Sequence, residues 1–138
     1  MQKPNEYRAY FTITGELDPD ALTSLLGLQP SSAWRKGSVN ERTGLVRKAN
    51  RWNLASRLDG SNSLEDQIED VLAQIRPVGD KVSSLLTKFE GWIQLVGYFH
   101  ENFPGLTLNP GSMIELASLN LGMDFDFYYL YSDAREDS

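Results

Sequence analysis

The clearest strand of the chain lies near its end, where residues 121–131 have the sequence LGMDFDFYYLY. Apolar and aromatic residues occupy the odd positions, whereas Gly122, Asp124 and Asp126 occupy even positions. Because successive side chains of a strand point to opposite faces, we expect the odd side chains in the core and the even ones outside. The pattern predicts a sheet with one covered face and one open face.

Strands and helices alternate before this last strand. Residues 7–14 are rich in aromatic and β-branched types and predict a first strand; further strands are predicted at 51–56, 92–100 and 106–108. Helices are predicted from Pro19 to Leu26, over 64–75, over 82–89 and from Pro110 onward. Three of these predicted helices follow a capping residue, namely Asp18, Ser63 and Asn109.

This order predicts an α+β fold of the ferredoxin-like kind, a mostly antiparallel sheet with helices on one face and an inserted basic loop or hairpin. In such a sheet the first and last strands are antiparallel neighbours, so Arg8 is expected to form an ion pair with Asp124 or Asp126. We expect a single domain over residues 1–138, with an ordered core at about 7–131 and a frayed tail at 132–138.

The composition excludes several classes of function. The chain has no cysteine, which removes disulfides, thiol catalysis and cysteine-containing metal sites. A net charge of −6 makes nucleic acid an unfavourable partner. The first residues lack the apolar stretch of a secretory signal, and no apolar run is long enough to span a membrane. We therefore expect a cytoplasmic protein.

A basic segment interrupts this acidic chain. Seven basic residues lie between Arg35 and Arg57 and only Glu41 opposes them, so the segment carries +6 and the rest of the chain −12. The residues expected to bind an anion or a partner here are Trp34, Arg35, Lys36, Arg51 and Trp52. The same residues could instead form structural cation–π pairs or a solvated loop.

A second candidate surface is the outer side of the predicted sheet. The alternation places four aromatic side chains there, Tyr10, Trp92, Tyr98 and Tyr128. This is more aromatic area than a solvated face usually carries, so we expect it to be covered by residues 31–62, by a second copy or by a ligand. RNA stacking is disfavoured, because Asp124 and Asp126 share this face.

Catalytic motifs are missing from the sequence. It contains no nucleotide-binding loop, no nucleophile elbow and no metal-binding motif, and His100 is the only histidine. We predict no catalytic residue, no metal and no cofactor. An enzyme would have to use His100 with Asp124 and Asp126 as acid and base.

The element order and several stretches resemble a bacterial family known only as a domain of unknown function, DUF family 4279. These stretches are Tyr10–Gly15 with Leu17–Pro19, Gly27–Pro30, Ala33–Gly37, Trp52–Leu54 and Leu119–Tyr129. The resemblance extends over residues 7–131, and Trp34-Arg35-Lys36-Gly37 ahead of Trp52 is its most specific part. Because no activity is established for that family, the resemblance implies no site residues.

These observations leave three hypotheses of function. The first is a non-enzymatic binding or protein-interaction module, for example one that neutralises a toxin as immunity proteins do, with a protein partner or a second copy as its ligand. The second is a sensor of a small molecule or an anion. The third is a hydrolase-like enzyme built on His100, Asp124 and Asp126.

Overall fold

The computed structural model describes residues 3–131 of the chain, so the predicted frayed tail at 132–138 lies outside the described residues. The strands are β1 (Glu6–Gly15), β2 (Ser32–Trp34), β3 (Asn50–Ala55), β4 (Glu90–Phe99) and β5 (Gly122–Tyr129). The helices are α1 (Pro19–Leu26), α2 (Leu64–Ile75), α3 (Gly79–Leu85) and α4 (Pro110–Ser118), with a 3₁₀ turn at Arg76–Val78.

The five strands form one sheet in the order β2-β3-β1-β4-β5. The β2–β3, β3–β1 and β1–β4 pairs are antiparallel, whereas β4 and β5 are parallel. A parallel pair needs a crossover connection, and α4 with the loop before it supplies that connection. The sheet is therefore mostly antiparallel, and β5 is one of its edges.

The predicted α+β class, the mostly antiparallel sheet and the helices on one face are confirmed. The expected pairing of the first and last strands is wrong, because β4 lies between β1 and β5. Arg8 stands beside Val96 of β4, and its guanidinium pairs instead with Glu6 at 3.7 Å. The parallel crossover through α4 is what displaces β5 from β1.

The helices bury one face of the sheet in a common core. Ala9, Phe11 and Ile13 of β1 project into this core, as the alternation predicted. The apolar stripe of α2 meets them, and its members Leu64, Ile68, Val71, Leu72 and Ile75 are all buried. At the start of α2, Ser63 accepts a hydrogen bond from the Asp66 N–H at 3.1 Å, as an N-cap does.

Two expectations about the end of the chain need correction. Met123 and Phe127 pack against the core, but Phe125 and Tyr129 are 52% and 55% exposed, because an edge strand has a neighbour on one side only. Residues 106–108 form no strand. Leu106 and Leu108 pack on the core, and the Thr107 N–H donates to a Glu65 carboxylate on α2 instead of joining the sheet.

The chain between α1 and β3, here called the basic insert, is predicted to be a loop or a hairpin, and it contains both a strand, β2, and a hairpin. After β2, residues 36–49 fold back on themselves through a bridge between Val39 and Val46, and we call these residues the basic hairpin. The insert extends the sheet beyond β3, at the edge opposite β5.

Across residues 3–131, none of the helices combines the length and the apolar character that crossing a membrane requires.

Candidate functional site

The side of the sheet away from the helices, here called the outer face, is the most distinctive surface of the molecule. The strand register places Tyr10, Trp92, Tyr98 and Tyr128 on it, as predicted from the alternation. The insert joins the sheet at the β2 edge and leaves the opposite end open, where Tyr128 is 42% exposed. Arg51 of residues 31–62 approaches the Trp92 ring, whereas Tyr128 stays exposed, so the expected covering of the aromatic side chains by residues 31–62 is incomplete.

A groove of about 500 Å³ runs across the outer face from the β2 edge to the β5 edge. Its lining combines polar, charged and aromatic side chains, namely Tyr10, Ser32, Arg51, Asn53, Gln94, Val96, Asp124, Phe125 and Asp126. One guanidinium stands near the β3 end and two carboxylates stand on β5. The groove thus offers positive charge at one end and negative charge at the other.

Buried hydrogen bonds hold the β3 end of the groove in place. Asn53 Oδ1 accepts from Thr12 Oγ1 at 2.8 Å and from Arg51 Nε at 3.1 Å. Its amide nitrogen donates to Ser32 Oγ at 3.0 Å. Thr12 and Asn53 are buried, and polar groups in that position are stable only when they are hydrogen-bonded. This network joins β1, β2 and β3 and fixes the direction of the Arg51 side chain.

Arg51 is half-buried between two indoles. Its guanidinium carbon lies 5.8 Å from the centre of the Trp34 ring and 5.7 Å from that of Trp92. Burial lowers the pKa of Arg51, and the charge of nearby Asp124 works in the opposite direction. Because an arginine remains protonated in proteins, Arg51 is a partly desolvated cation on the outer face.

A tyrosine cluster with an acidic group, here called the tyrosine end, lies on the outer face just beyond the β5 end of the groove. The rings of Tyr98 and Tyr128 stack 5.3 Å apart and are nearly parallel. The Tyr128 hydroxyl donates to Asp126 at 2.9 Å, which raises the pKa of Tyr128. Burial is the main reason that the pKa of Tyr10 is also raised. Both phenols are therefore uncharged near neutral pH.

The structure separates the five residues expected to bind an anion or a partner. Trp34 lies on the outer face beside Arg51, and Lys36 is exposed at the start of the basic hairpin. Arg35 is held by Asp18 at 2.8 Å and by Asp20, so its charge is compensated.

Trp52 does not belong to this surface. It points to the other side of the sheet, where it is fully buried in the core. Strand alternation explains the separation: Arg51 and Trp52 are consecutive residues of β3 and must project from opposite faces. The candidate site therefore keeps Trp34 and Arg51 and loses Trp52.

Three outer-face residues were not predicted from the sequence: Asn53, Ser32 and Arg47. Asn53 and Ser32 belong to the groove, and alternation from Arg51 along 50–55 could have indicated Asn53. Arg47 stacks on Trp34, with its guanidinium carbon 4.2 Å from the ring centre. No sequence signal indicated Arg47, since its position depends on how the basic hairpin folds.

The three residues of the enzyme hypothesis do not meet in one pocket. Asp124 and Asp126 line the groove, whereas His100 follows the end of β4, where its backbone N–H donates to Asn5 at 2.7 Å. His100 is four residues beyond Val96, the neighbour of Asp126, which is roughly 13 Å along a strand. Within residues 3–131, no three acidic or histidine side chains form a group that could hold a metal ion.

Comparison with models of protein families shows to which family the chain belongs. The model of DUF4279, a domain of unknown function, matches residues 5–130. The chain belongs to this family. The match extends from β1 to β5 and includes the basic insert, which confirms the resemblance seen in the sequence. Neither a curated protein nor a solved structure matches this DUF4279 domain.

Proposed function

We propose that this DUF4279 domain is a non-enzymatic protein-interaction module that binds its partner with the outer face of the sheet. One observation carries the proposal: four aromatic side chains share a face that no helix in residues 3–131 covers, while the helices fill the core on the opposite side. Tyrosine and tryptophan are the residues that most often dominate the affinity of protein interfaces.

The charges of the tyrosine end favour a basic partner. Asp126 accepts a hydrogen bond from Tyr128, and Asp124 lies two residues before it on the same face of β5. Within the described residues no group donates a hydrogen bond to Asp124. The whole chain carries −6, so a basic protein surface would be attracted at long range as well as at contact. Neutralisation of a basic toxin is one activity of this kind, and that suggestion rests on analogy alone.

The geometry favours protein over RNA as the ligand of this face. An aromatic sheet can stack bases, but the phosphates of a bound strand would lie near Asp124 and Asp126. Binding of nucleic acid also depends on basic residues that neutralise phosphates, and the tyrosine end offers the carboxylate of Asp126 instead.

The proposal is tested by capturing the partner at native expression with tagged protein and measuring the affinity of the purified pair. Tyr98→Ala and Tyr128→Ala should each weaken binding at least about tenfold, the loss typical of a central aromatic residue. Asp126→Asn should weaken it less and reduce its dependence on salt.

Tyr129→Ala is the matched control, because Tyr129 belongs to the same strand but projects to the other face, where it contacts Phe99. Its thermal stability is measured beside that of the other variants. The proposal fails if no partner is captured, or if Tyr98→Ala and Tyr128→Ala bind as tightly as the unchanged protein.

A further inference from the structure

Two arginines of the insert approach the same indole. The guanidinium carbon of Arg47 lies 4.2 Å from the centre of the Trp34 ring, and that of Arg51 lies 5.8 Å from it. Arg47 is held in place by its backbone, since its N–H donates to Ser38 and its carbonyl accepts from Gly37, both at 2.8 Å. The basic hairpin therefore brings two cations together at one aromatic ring.

Within residues 3–131, Arg47 and Arg51 lack the carboxylate contacts that other arginines of the chain make. Arg35, Arg57 and Arg76 each contact a carboxylate at 3.0 Å or less. In the part of the chain that the structure describes, no carboxylate oxygen lies within 4 Å of the Arg47 or Arg51 guanidinium. Both side chains are half-buried and have lost part of their water. Asp124 acts on Arg51 only from beyond ion-pair distance, so neither guanidinium has an anion in contact among the described residues.

A cavity of about 380 Å³ opens next to these cations, between the basic hairpin and the sheet. Three basic residues line it, Arg47, Lys48 and Arg51, and its lining contains no acidic residue. Trp34, Leu45 and Val46 add apolar surface. Leu45 and Val46 are 70% and 60% exposed, so their apolar side chains are accessible to a ligand. The volume falls in the range of small-molecule sites, about 300–1,000 Å³.

We propose that this cavity binds a small organic anion. The phosphate or carboxylate group of the ligand contacts the Arg47 and Arg51 guanidinium groups, whose planar donors match both kinds of oxyanion. The apolar part of the ligand lies against Trp34, Leu45 and Val46. The site is at the opposite end of the outer face from Tyr98 and Tyr128. This proposal can therefore be tested separately from the proposed partner surface.

Calorimetric titration with four probes tests the class of ligand. Phenyl phosphate and benzoate carry both features, and the stronger of the two identifies the preferred oxyanion. Inorganic phosphate has the charge alone and should bind at least about tenfold more weakly than phenyl phosphate, because it makes no apolar contact. Benzyl alcohol has the ring alone and should not bind measurably. If neither phenyl phosphate nor benzoate binds at millimolar concentration, the proposal is overturned.

Substitutions test the place of binding. Arg47→Gln and Arg51→Gln should each lower the affinity for the better probe about tenfold or more, as expected for a lost charged hydrogen bond. Arg42→Gln is the matched control, since Arg42 belongs to the same hairpin but does not line the cavity. Arg51→Gln also removes a hydrogen bond to Asn53, so Arg47→Gln is decisive if the Arg51 variant proves unstable.

A fluorescence titration gives a second measurement, which reports ligand binding next to Trp34. The better probe should change the tryptophan emission of the unchanged protein, and Trp34→Phe should remove most of that change. An equal loss of affinity in Arg42→Gln and Arg47→Gln would show unspecific attraction to a basic hairpin and would overturn the proposal. Unchanged affinity in both Arg47→Gln and Arg51→Gln would overturn it as well.

Discussion

Trp34 directly precedes the basic segment and Trp52 lies within it, and the sheet places their indoles on opposite faces. Trp52 is fully buried, packs edge-to-face on Phe11 at 5.9 Å and donates its indole N–H to Thr23 at 3.0 Å. Trp34 is half-buried on the outer face beneath Arg47. Trp34 is therefore available to a ligand, whereas Trp52 stabilises the core.

This difference predicts opposite results for the two alanine substitutions. Trp52→Ala should lower the free energy of unfolding by about 3–5 kcal/mol, because it leaves a large cavity in the core. Trp34→Ala removes surface cation–π contacts and should cost at most about 1 kcal/mol. Urea unfolding followed by circular dichroism measures both. Equal losses in the two variants would contradict the assignment of the two indoles to different faces.

At the scale of the element, α2 is the helix whose local sequence and tertiary role agree best. Ser63 caps its first turn, and its apolar stripe is wholly buried against the sheet. β5 shows the opposite case. Its side chains alternate as the sequence indicates, but Phe125 is half exposed, because β5 is an edge strand. Periodicity predicts the direction of a side chain, whereas burial depends on the neighbouring elements.

The cap of α2 gives a prediction for that element. Ser63→Ala should lower the free energy of unfolding by about 1 kcal/mol, because the Asp66 N–H loses its acceptor. Ser63→Asp should keep most of the stability, since a carboxylate accepts the same hydrogen bond and favours the positive end of the helix. Chemical denaturation of the three proteins checks this. An alanine variant as stable as the unchanged protein would show that the cap contributes nothing.

At the scale of the whole molecule, ion pairs join helices that are distant in the sequence and decide where the remaining charge lies. Arg76 follows α2 and binds Glu115 of α4 at 2.7 Å, and it also contacts Glu69. Pairs with α1 and α2 likewise compensate Arg35 and Arg57. The basic charge left on the outer face is concentrated in the basic hairpin and Arg51, opposite Asp124 and Asp126 on β5.

The pair between Arg76 and Glu115 makes part of the stability depend on pH. The hydrogen bonds from Arg76 hold the pKa of Glu115 below its ordinary value of 4.5. A carboxyl group whose pKa falls on folding stabilises the protein above its unfolded pKa, and that contribution is lost as the pH falls through the folded pKa. Glu115→Gln should therefore lower the stability at pH 7 by about 0.5–1 kcal/mol, or roughly 1–4 °C in Tm.

Thermal unfolding measured at several pH values checks this prediction. The difference in Tm between Glu115→Gln and the unchanged protein should shrink as the pH falls below the ordinary glutamate pKa of 4.5 and through the lowered pKa of folded Glu115, because the carboxylate is then progressively protonated. Glu16→Gln is the control, because Glu16 is exposed and has no ion pair among the described residues. A difference that stays constant from pH 7 to pH 3 would contradict the role of the charge.

The sequence predicts which face of the sheet most side chains of the candidate site occupy. It does not predict how the parts of the site lie relative to one another. Alternation alone placed Tyr10, Trp92, Tyr98 and Tyr128 on one face, because it is a property of the strand backbone. Their position relative to the basic segment could not be predicted, since the order β2-β3-β1-β4-β5 includes a parallel crossover that no local pattern indicates. Arg47 was missed for a related reason: the fold of the basic hairpin, rather than spacing, brings it to Trp34.

The features that depend on neighbours along the chain follow from the amino-acid order: the caps at Asp18, Ser63 and Asn109, the buried stripe of α2 and the alternation of the strands. The neighbours of β1, the burial of Trp52 and the charges without an ion pair are properties of the folded chain. Those outcomes depend on contacts between residues far apart in the sequence, and their free energies arise only when the helices and the sheet pack together.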